Sequence, residues 1–445
     1  MKQKDACSVI CVQGLPDPGS GQSISINKEG EKMETERIEI FGHGIKGRPS
    51  AERWSSREWK ELVCLFPEDQ SESGTVKYLL EHYLDEIISG MEALKDRLKL
   101  NSICALLSKN HEIYEEKFRL SGIQTNLTDD MKGIQKEIFK EGILVHHAET
   151  MLALHRNLTD ENYVPHKIIS VTGDVMEPGI YEIPFGITLE EIITKYAKGV
   201  TAGKTVKFVS AGGSMGAVYG ADELDTLFTY SSLLKEGTML ESAQIEVCSN
   251  DTCIVDWACK RMLINSRKTC GTCVYCREGI YQLFRILQDA AEGKGREGDI
   301  SLMKEICETL KAGTLCDIGR TAAVPLLTAM NKFGEEFEKH IDRKICQSLS
   351  CISYVKFYID PALCNGCGDC MVCPEHAVRG GENLIHIIDT DICNKCEKCI
   401  KVCSRNAVKR YGTVKPVLPS EPVQAGSFSG EGNGLKKGLG RRRRV

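Results

Sequence analysis

No apolar run in this chain of 445 residues approaches the roughly 18 residues that a membrane-spanning helix needs. Its first stretch, Met1 to Gln13, is charged and too short in apolar length to act as a secretory signal. A net charge of −5 excludes the broad cationic excess that would imply nucleic acid or an anionic membrane as partner for the whole chain. What is abundant is cysteine, with 22 residues. A cysteine-rich chain without a secretory signal is expected in the cytoplasm, where thiols stay reduced and cysteine clusters serve metals more than disulfides. Hydrophobic and charged contents of 42% and 27% are those of an ordinary globular protein, and the length suits two to four domains.

Periodicity divides the chain. Residues 1 to about 60 are rich in Gly, Ser, Lys and Glu with weak patterning, and read as loose or poorly ordered. From Thr75 to Phe118 the pattern is helical, with Leu79, Leu80, Tyr83, Leu84, Ile87 and Ile88 recurring at three and four. A further helical stretch is expected from Thr128 to His155. At His166 the period changes to that of strands. Ile168–Gly173 and Ile180–Pro184 flank the turn Glu177-Pro178-Gly179, a short helix opens at Thr188, and Val206–Ser210 forms another strand. Residues 254–340 read as mostly helical and 355–412 as loops and turns. Beyond Pro416 the composition falls to Gly, Ser, Lys and Arg, ending in Arg441 to Arg444, a tail expected to be disordered.

Twelve of the cysteines form three groups. Cys270, Cys273 and Cys276 are spaced by two residues, with Cys316 farther on. Cys364, Cys367, Cys370 and Cys373 form a second run and Cys393, Cys396, Cys399 and Cys403 a third. A four-iron cluster takes four thiolates, and three of them on one tight loop can wrap a corner of the cube while a fourth closes it. The spacing therefore predicts three 4Fe-4S clusters and a path for single electrons. Four thiolates also suit zinc, so a structural zinc scaffold is the alternative of different class.

The C-terminal pair of runs, each closed by a cysteine and followed by Ala377-Val378 or Ala407-Val408, resembles a bacterial-type two-cluster ferredoxin domain. In that family the fourth cysteine of each run serves the other cluster. The resemblance implies one cluster on Cys364, Cys367, Cys370 and Cys403 and the other on Cys393, Cys396, Cys399 and Cys373. Two departures stand out: only two residues separate Cys370 from Cys373, and no proline follows Cys403.

Lys268-Thr269-Cys270-Gly271-Thr272-Cys273-Val274-Tyr275-Cys276-Arg277-Glu278-Gly279 resembles the cluster motif of the flavin-carrying, 51 kDa-type subunit of complex I. The related subunits of NAD(P)-linked, bifurcating hydrogenases and of formate dehydrogenases share it. Thr314-Leu315-Cys316-Asp317-Ile318-Gly319 matches the closing segment, and Asp251-Thr252-Cys253-Ile254-Val255 the exit from the preceding β-grasp domain. That family oxidises NADH with FMN, yet residues 1–140 contain no Gly-Arg-Gly-Gly, no Asn-Ala-Asp-Glu and no Gly-Glu-Glu, and Gly42-His43-Gly44 makes a poor phosphate loop. Gly212-Gly213-Ser214-Met215-Gly216 reads as a turn. Val145-His146-His147-Ala148-Glu149-Thr150 aligns with the flavin-facing Val-Asn-Asn-Val-Glu-Thr segment but carries histidines for both asparagines. They read as surface helix residues, a reshaped flavin site or a metal site.

The resemblance thus implies an α+β multidomain protein. Its parts are a poorly ordered segment (1–70), a truncated helical relic of a flavin domain (71–163), a β-grasp, soluble-ligand-binding domain (164–247), a helical 4Fe-4S domain (248–343), a two-cluster 4Fe-4S ferredoxin domain (344–412) and a disordered basic tail (413–445). The expected role is electron transfer inside a cytoplasmic NAD(P)-, hydrogen- or formate-linked oxidoreductase. Its partners would be 2Fe-2S thioredoxin-like and hydrogenase- or dehydrogenase-type subunits or a ferredoxin. No catalytic acid or base is needed, and the eroded flavin half argues against NADH oxidation by this chain alone. The alternative is a flavoprotein NADH dehydrogenase subunit that keeps FMN and NAD(H) in a divergent pocket. Of the remaining cysteines, Cys346 and Cys351 with His340 and one further group suggest a zinc clamp, with two buried thiols as the alternative. Cys248, Cys253, Cys259 and Cys307 read as core residues, and Cys7 and Cys11 as an isolated terminal pair.

Overall fold

The computed structural model describes residue 54 and residues 58–66, 74–128, 141–238 and 244–428. The N-terminal segment before Trp54, with Cys7, Cys11 and Gly42–Gly47, and the arginine-rich end lie outside these residues.

The first unit departs from a helical relic. Glu61–Phe66 (β1), Ser102–Leu107 (β2), Gln124–Leu127 (β3) and Ile143–His147 (β4) form a sheet of order β3-β2-β1-β4, every neighbour parallel. β1 thus draws residues 61–66 out of the segment expected to be disordered. Helices Thr75–His82 (α1), Leu84–Leu98 (α2), Glu115–Leu120 (α3) and Ala148–Thr159 (α4) connect and cover the strands. Parallel strands buried on both faces read as continuous apolar runs, which is why Ile103–Leu107 and Ile143–Val145 hide inside a helical reading. Residues 75–98 are helical as their period predicts, and Leu79, Leu80, Leu84, Ile87 and Ile88 are all buried. Gly90 lets α2 lie against α4, because a Cβ there would sit 2.0 Å from the Met151 carbonyl oxygen.

The second unit is a mixed sheet of order β6-β5-β9-β7-β8, made of His166–Gly173 (β5), Gly179–Pro184 (β6), Val206–Ala211 (β7), Ala217–Gly220 (β8) and Gln244–Ser249 (β9). β5 and β9 run parallel, and the other pairs are antiparallel. Thr188 opens the short helix with a reciprocal capping box to Glu191. Gly212 and Gly213 turn at φ 112° and 80°, conformations that a side chain resists, so the glycine run is a turn between β7 and β8. A polar joint ties the two units. Tyr83 Oη donates to Glu182 Oε2 at 2.8 Å, and Arg156 pairs with Glu182 and, at 2.9 Å, with Glu86.

A helical unit follows: Ile254–Arg267 (α5), Val274–Ala291 (α6), Asp299–Gly313 (α7), Asp317–Thr321 (α8), Val324–Lys332 (α9) and Gly334–Ile341 (α10). Its core runs from Trp257 and Met262 through Leu283, Leu287 and Met303 to Phe337 and Ile341. The C-terminal unit holds two small antiparallel ladders. Lys356–Ile359 (β10) pairs with Val408–Tyr411 (β13), and Val378–Arg379 (β11) with Ile387–Ile388 (β12). The helix Lys398–Val402 (α11) completes it. The chain beyond residue 413 does not leave at once. Ile385 N–H donates to the Val423 carbonyl at 2.7 Å and Ala425 N–H to the Asn383 carbonyl at 2.9 Å. No helix among the described residues is long and apolar enough to cross a membrane.

Candidate metal centres

The middle cysteine group lies where helices begin. Cys273 is the cap of α6, Cys276 sits in its first turn, and Cys316 caps α8. Arg277 braces the loop: Nη1 donates to the Gly271 carbonyl at 2.8 Å, and Nε to Glu278 at 2.8 Å. Gly319 is fixed by packing, since a Cβ there would lie 2.7 Å from Thr314 Cβ, and Thr314 Oγ1 donates to the Leu310 carbonyl. The Thr-x-Cys-x-x-Gly pattern is thus a close-packed turn that holds Cys316.

In the C-terminal unit one pocket is lined by Cys364, Cys367, Cys370 and Cys403 together with Asn365, Asp369 and His386. Burial pushes the Cys370 thiol up to about 12, and Cys364, Cys367 and Cys403 add negative charge beside it. Burial also raises Cys399, with Cys393, Cys373 and Cys396 as its charged neighbours. Each lobe therefore gathers three thiols of one run and the closing thiol of the other. The chemistry of both donor sets fits an iron–sulfur cluster, since each set brings four thiols into one neighbourhood where they act on one another's charge and are only partly screened from solvent.

A third centre joins residues far apart in sequence. Cys253, His340, Cys346 and Cys351 are all buried, with their ligand atoms within 4.8 Å of one another. His340 Nε2 lies 3.3 Å from Cys351 Sγ, and the Tyr354 ring rests 4.4 Å from the imidazole. Lys207 fixes the geometry: Nζ donates to the Thr252 carbonyl at 2.9 Å and to Glu336 at 2.7 Å, one turn before His340 on α10. The Cys346 thiol is held well below its ordinary pKa by hydrogen bonds from Cys253 and Cys351. Cys253 is pushed up to about 12 by its bond to Cys346, and Cys351 is raised by its bonds to Cys253 and Cys346. Three sulfurs and one imidazole nitrogen suit tetrahedral zinc. Cys253, read from sequence as a core thiol, is the fourth member. Its place at the exit from β9, just before α5, is the one local signal that sets it apart. Cys248, Cys259 and Cys307 are buried, as expected of core thiols.

The paired histidines are buried and lie at the end of a strand, which corrects their reading as surface helix residues. Trp54 Nε1 donates to His146 Nε2 at 2.9 Å, and His147 Nδ1 accepts the Glu149 N–H at the start of α4. Glu149 is committed as well, paired with buried Lys167 and accepting the Ile168 N–H at 2.7 Å. An indole fills the space beside the first histidine and a carboxylate is spent at the helix start. His146, His147 and Glu149 are thus already engaged within the chain. Gly42, Gly44 and Gly47 have the bare spacing G-x-G-x-x-G, a weak signal, and lie outside the described residues.

Residues 256–340 match the family model of the NADH-ubiquinone oxidoreductase-F iron-sulfur binding region. The chain resembles F-type subunits of NADH-linked oxidoreductases. It is 34% identical over 221 residues to the NADP-reducing hydrogenase subunit HndC of Solidesulfovibrio fructosivorans, a match over 49% of this chain and 45% of that one. It is 34% identical over 180 residues to an F-type NADH-quinone oxidoreductase subunit of Rhizobium meliloti, over 40% and 43% of the two chains. The matches thus span less than half the length of these relatives. An NAD+-reducing [NiFe]-hydrogenase crystal structure shares the fold with a TM-score of 0.59 at 17% identity, over 69% of this chain and 62% of that one.

Proposed function

We propose that this chain is an electron-transfer subunit of a cytoplasmic NAD(P)-, hydrogen- or formate-linked oxidoreductase complex, with three 4Fe-4S sites. Cys270, Cys273, Cys276 and Cys316 would hold the first. Cys364, Cys367, Cys370 and Cys403 would hold the second, and Cys393, Cys396, Cys399 and Cys373 the third. A cluster at each site supplies one-electron transfer when bound. The observation that carries this reading is the crossed gathering of thiols in the C-terminal unit, Cys403 with the first run and Cys373 with the second. The chain's own part is to hold the thiolates, limit their solvation and aim hydrogen bonds at the sulfurs. The four residues Cys253, His340, Cys346 and Cys351 would take zinc, closing the link between the helical unit and the C-terminal unit. Partner subunits would supply the hydride chemistry, because a flavin is what converts two-electron hydride transfer into single electrons.

The test is anaerobic purification with iron, zinc and flavin measured on one sample. About twelve irons per chain, about one zinc and no flavin is the expected result. The flavoprotein reading draws support from the parallel β3-β2-β1-β4 sheet, a nucleotide-fold order. One FMN per chain in the same sample would establish it and displace the relay reading. Zinc without iron would sink both.

A further inference from the structure

His386 lines the pocket of Cys364, Cys367, Cys370 and Cys403, yet no spacing rule points to it. Its side chain is 1% exposed. Nδ1 lies 3.9 Å from Cys364 Sγ, within reach of a hydrogen bond to sulfur, and Nε2 is buried without a partner. A neutral imidazole carries one N–H. A proton on Nε2 would bury an unpaired donor, whereas a proton on Nδ1 meets a thiolate. The ring is seated by Gly380, where a Cβ would lie 2.2 Å from His386 Cδ2.

The internal repeat adds a second, independent observation. His386 stands seven residues before Cys393, just ahead of β12, and Phe357 stands seven residues before Cys364, within β10. Both are 1% exposed. The two halves thus place an imidazole and a phenyl ring at equivalent buried positions, and only the imidazole has an N–H to give.

We infer that His386 donates its Nδ1–H to the Cys364 thiolate and raises the reduction potential of the lobe closed by Cys403 above that of its twin. This rests on the reading of the C-terminal unit as a two-cluster domain. A donor aimed at a ligand sulfur favours the reduced state, which carries one more negative charge. His386 acts through Cys364 and is a tuning residue, not a ligand.

The experiment is a potentiometric titration followed by EPR on the full-length, anaerobically purified chain, with iron measured first. The variant His386→Phe installs what the other repeat carries at the same depth. The expected result is unchanged iron and a single midpoint lowered by at least a tenfold change in the reduction equilibrium, about 59 mV for one electron. His386→Asn keeps an N–H and should recover part of that shift. Full iron with every midpoint unmoved in His386→Phe would overturn the inference and leave the cluster reading intact. A wild-type chain without iron would overturn the cluster reading and this inference with it. If His386→Phe loses iron, pulsed EPR of a His376→Gln protein labelled with 15N-histidine decides, since His386 is then the one histidine between residues 356 and 411. A nitrogen coupling to a reduced cluster, with an exchangeable proton, supports the hydrogen bond, and its absence rejects it.

Discussion

At the scale of single residues, candidate ligands are legible in the sequence wherever spacing alone groups them. Three cysteines at i, i+3 and i+6 can face one ion whatever the rest of the chain does, so the three cysteine groups announce themselves. Cys253 could not be seen this way. Its partners His340, Cys346 and Cys351 come from elements far along the chain, and only the packing of α10 against α5 brings them together. His386 was invisible for the same reason. Cys253→Ser should remove one of three sulfurs from the zinc set and lower bound zinc from about one per chain to well below half, with iron retained. Metal analysis of the purified variant checks this, and undiminished zinc would show that the four side chains hold none.

At the scale of elements, the sequence showed periodicity faithfully and depth poorly. The three-four recurrence of Leu79 to Ile88 belongs to real helices, and the alternation after His166 to real strands. The strands at 102–107 and 143–147 are sealed on both faces, so they lack the polar alternation that marks a strand from outside. The paired histidines were misplaced with them. Where backbones nearly touch, one atom decides whether elements fit. Gly90→Ala drives a Cβ into the Met151 carbonyl and should cost about 1–3 kcal/mol by forcing α2 off α4. A thermal melt of the variant against the parent reads the loss directly, and an unshifted midpoint would mean that the helices part without strain.

At the scale of the whole molecule, the parallel-sheet unit and the mixed-sheet unit are tied through Tyr83, Arg156, Glu86 and Glu182. Arg156 also lies over the Tyr83 ring, 4.6 Å from its centroid. Burial, with the hydrogen bond to Glu182, pushes the Tyr83 hydroxyl up to about 12. A pKa raised in the folded state gives stability that is complete below the unfolded value, about 10, and is lost as pH climbs through about 12. Tyr83→Phe should therefore be less stable than the parent at about pH 8, and the gap should narrow by about pH 11. Chemical denaturation at the two pH values measures it. A gap that stays constant would show that the joint does not sense the phenol proton.

The exchange of closing cysteines between the two C-terminal runs makes them interdependent in a way that two independent metal loops would not be. Cys403 belongs to the lobe built on Cys364, and Cys373 to the lobe built on Cys393. Neither run by itself supplies the four thiols that its lobe gathers, so each lobe draws on both halves of the unit. Injury is shared in the same way. A change that displaces the closing cysteine of one run reaches the lobe built on the other, so the unit is an interlocked pair.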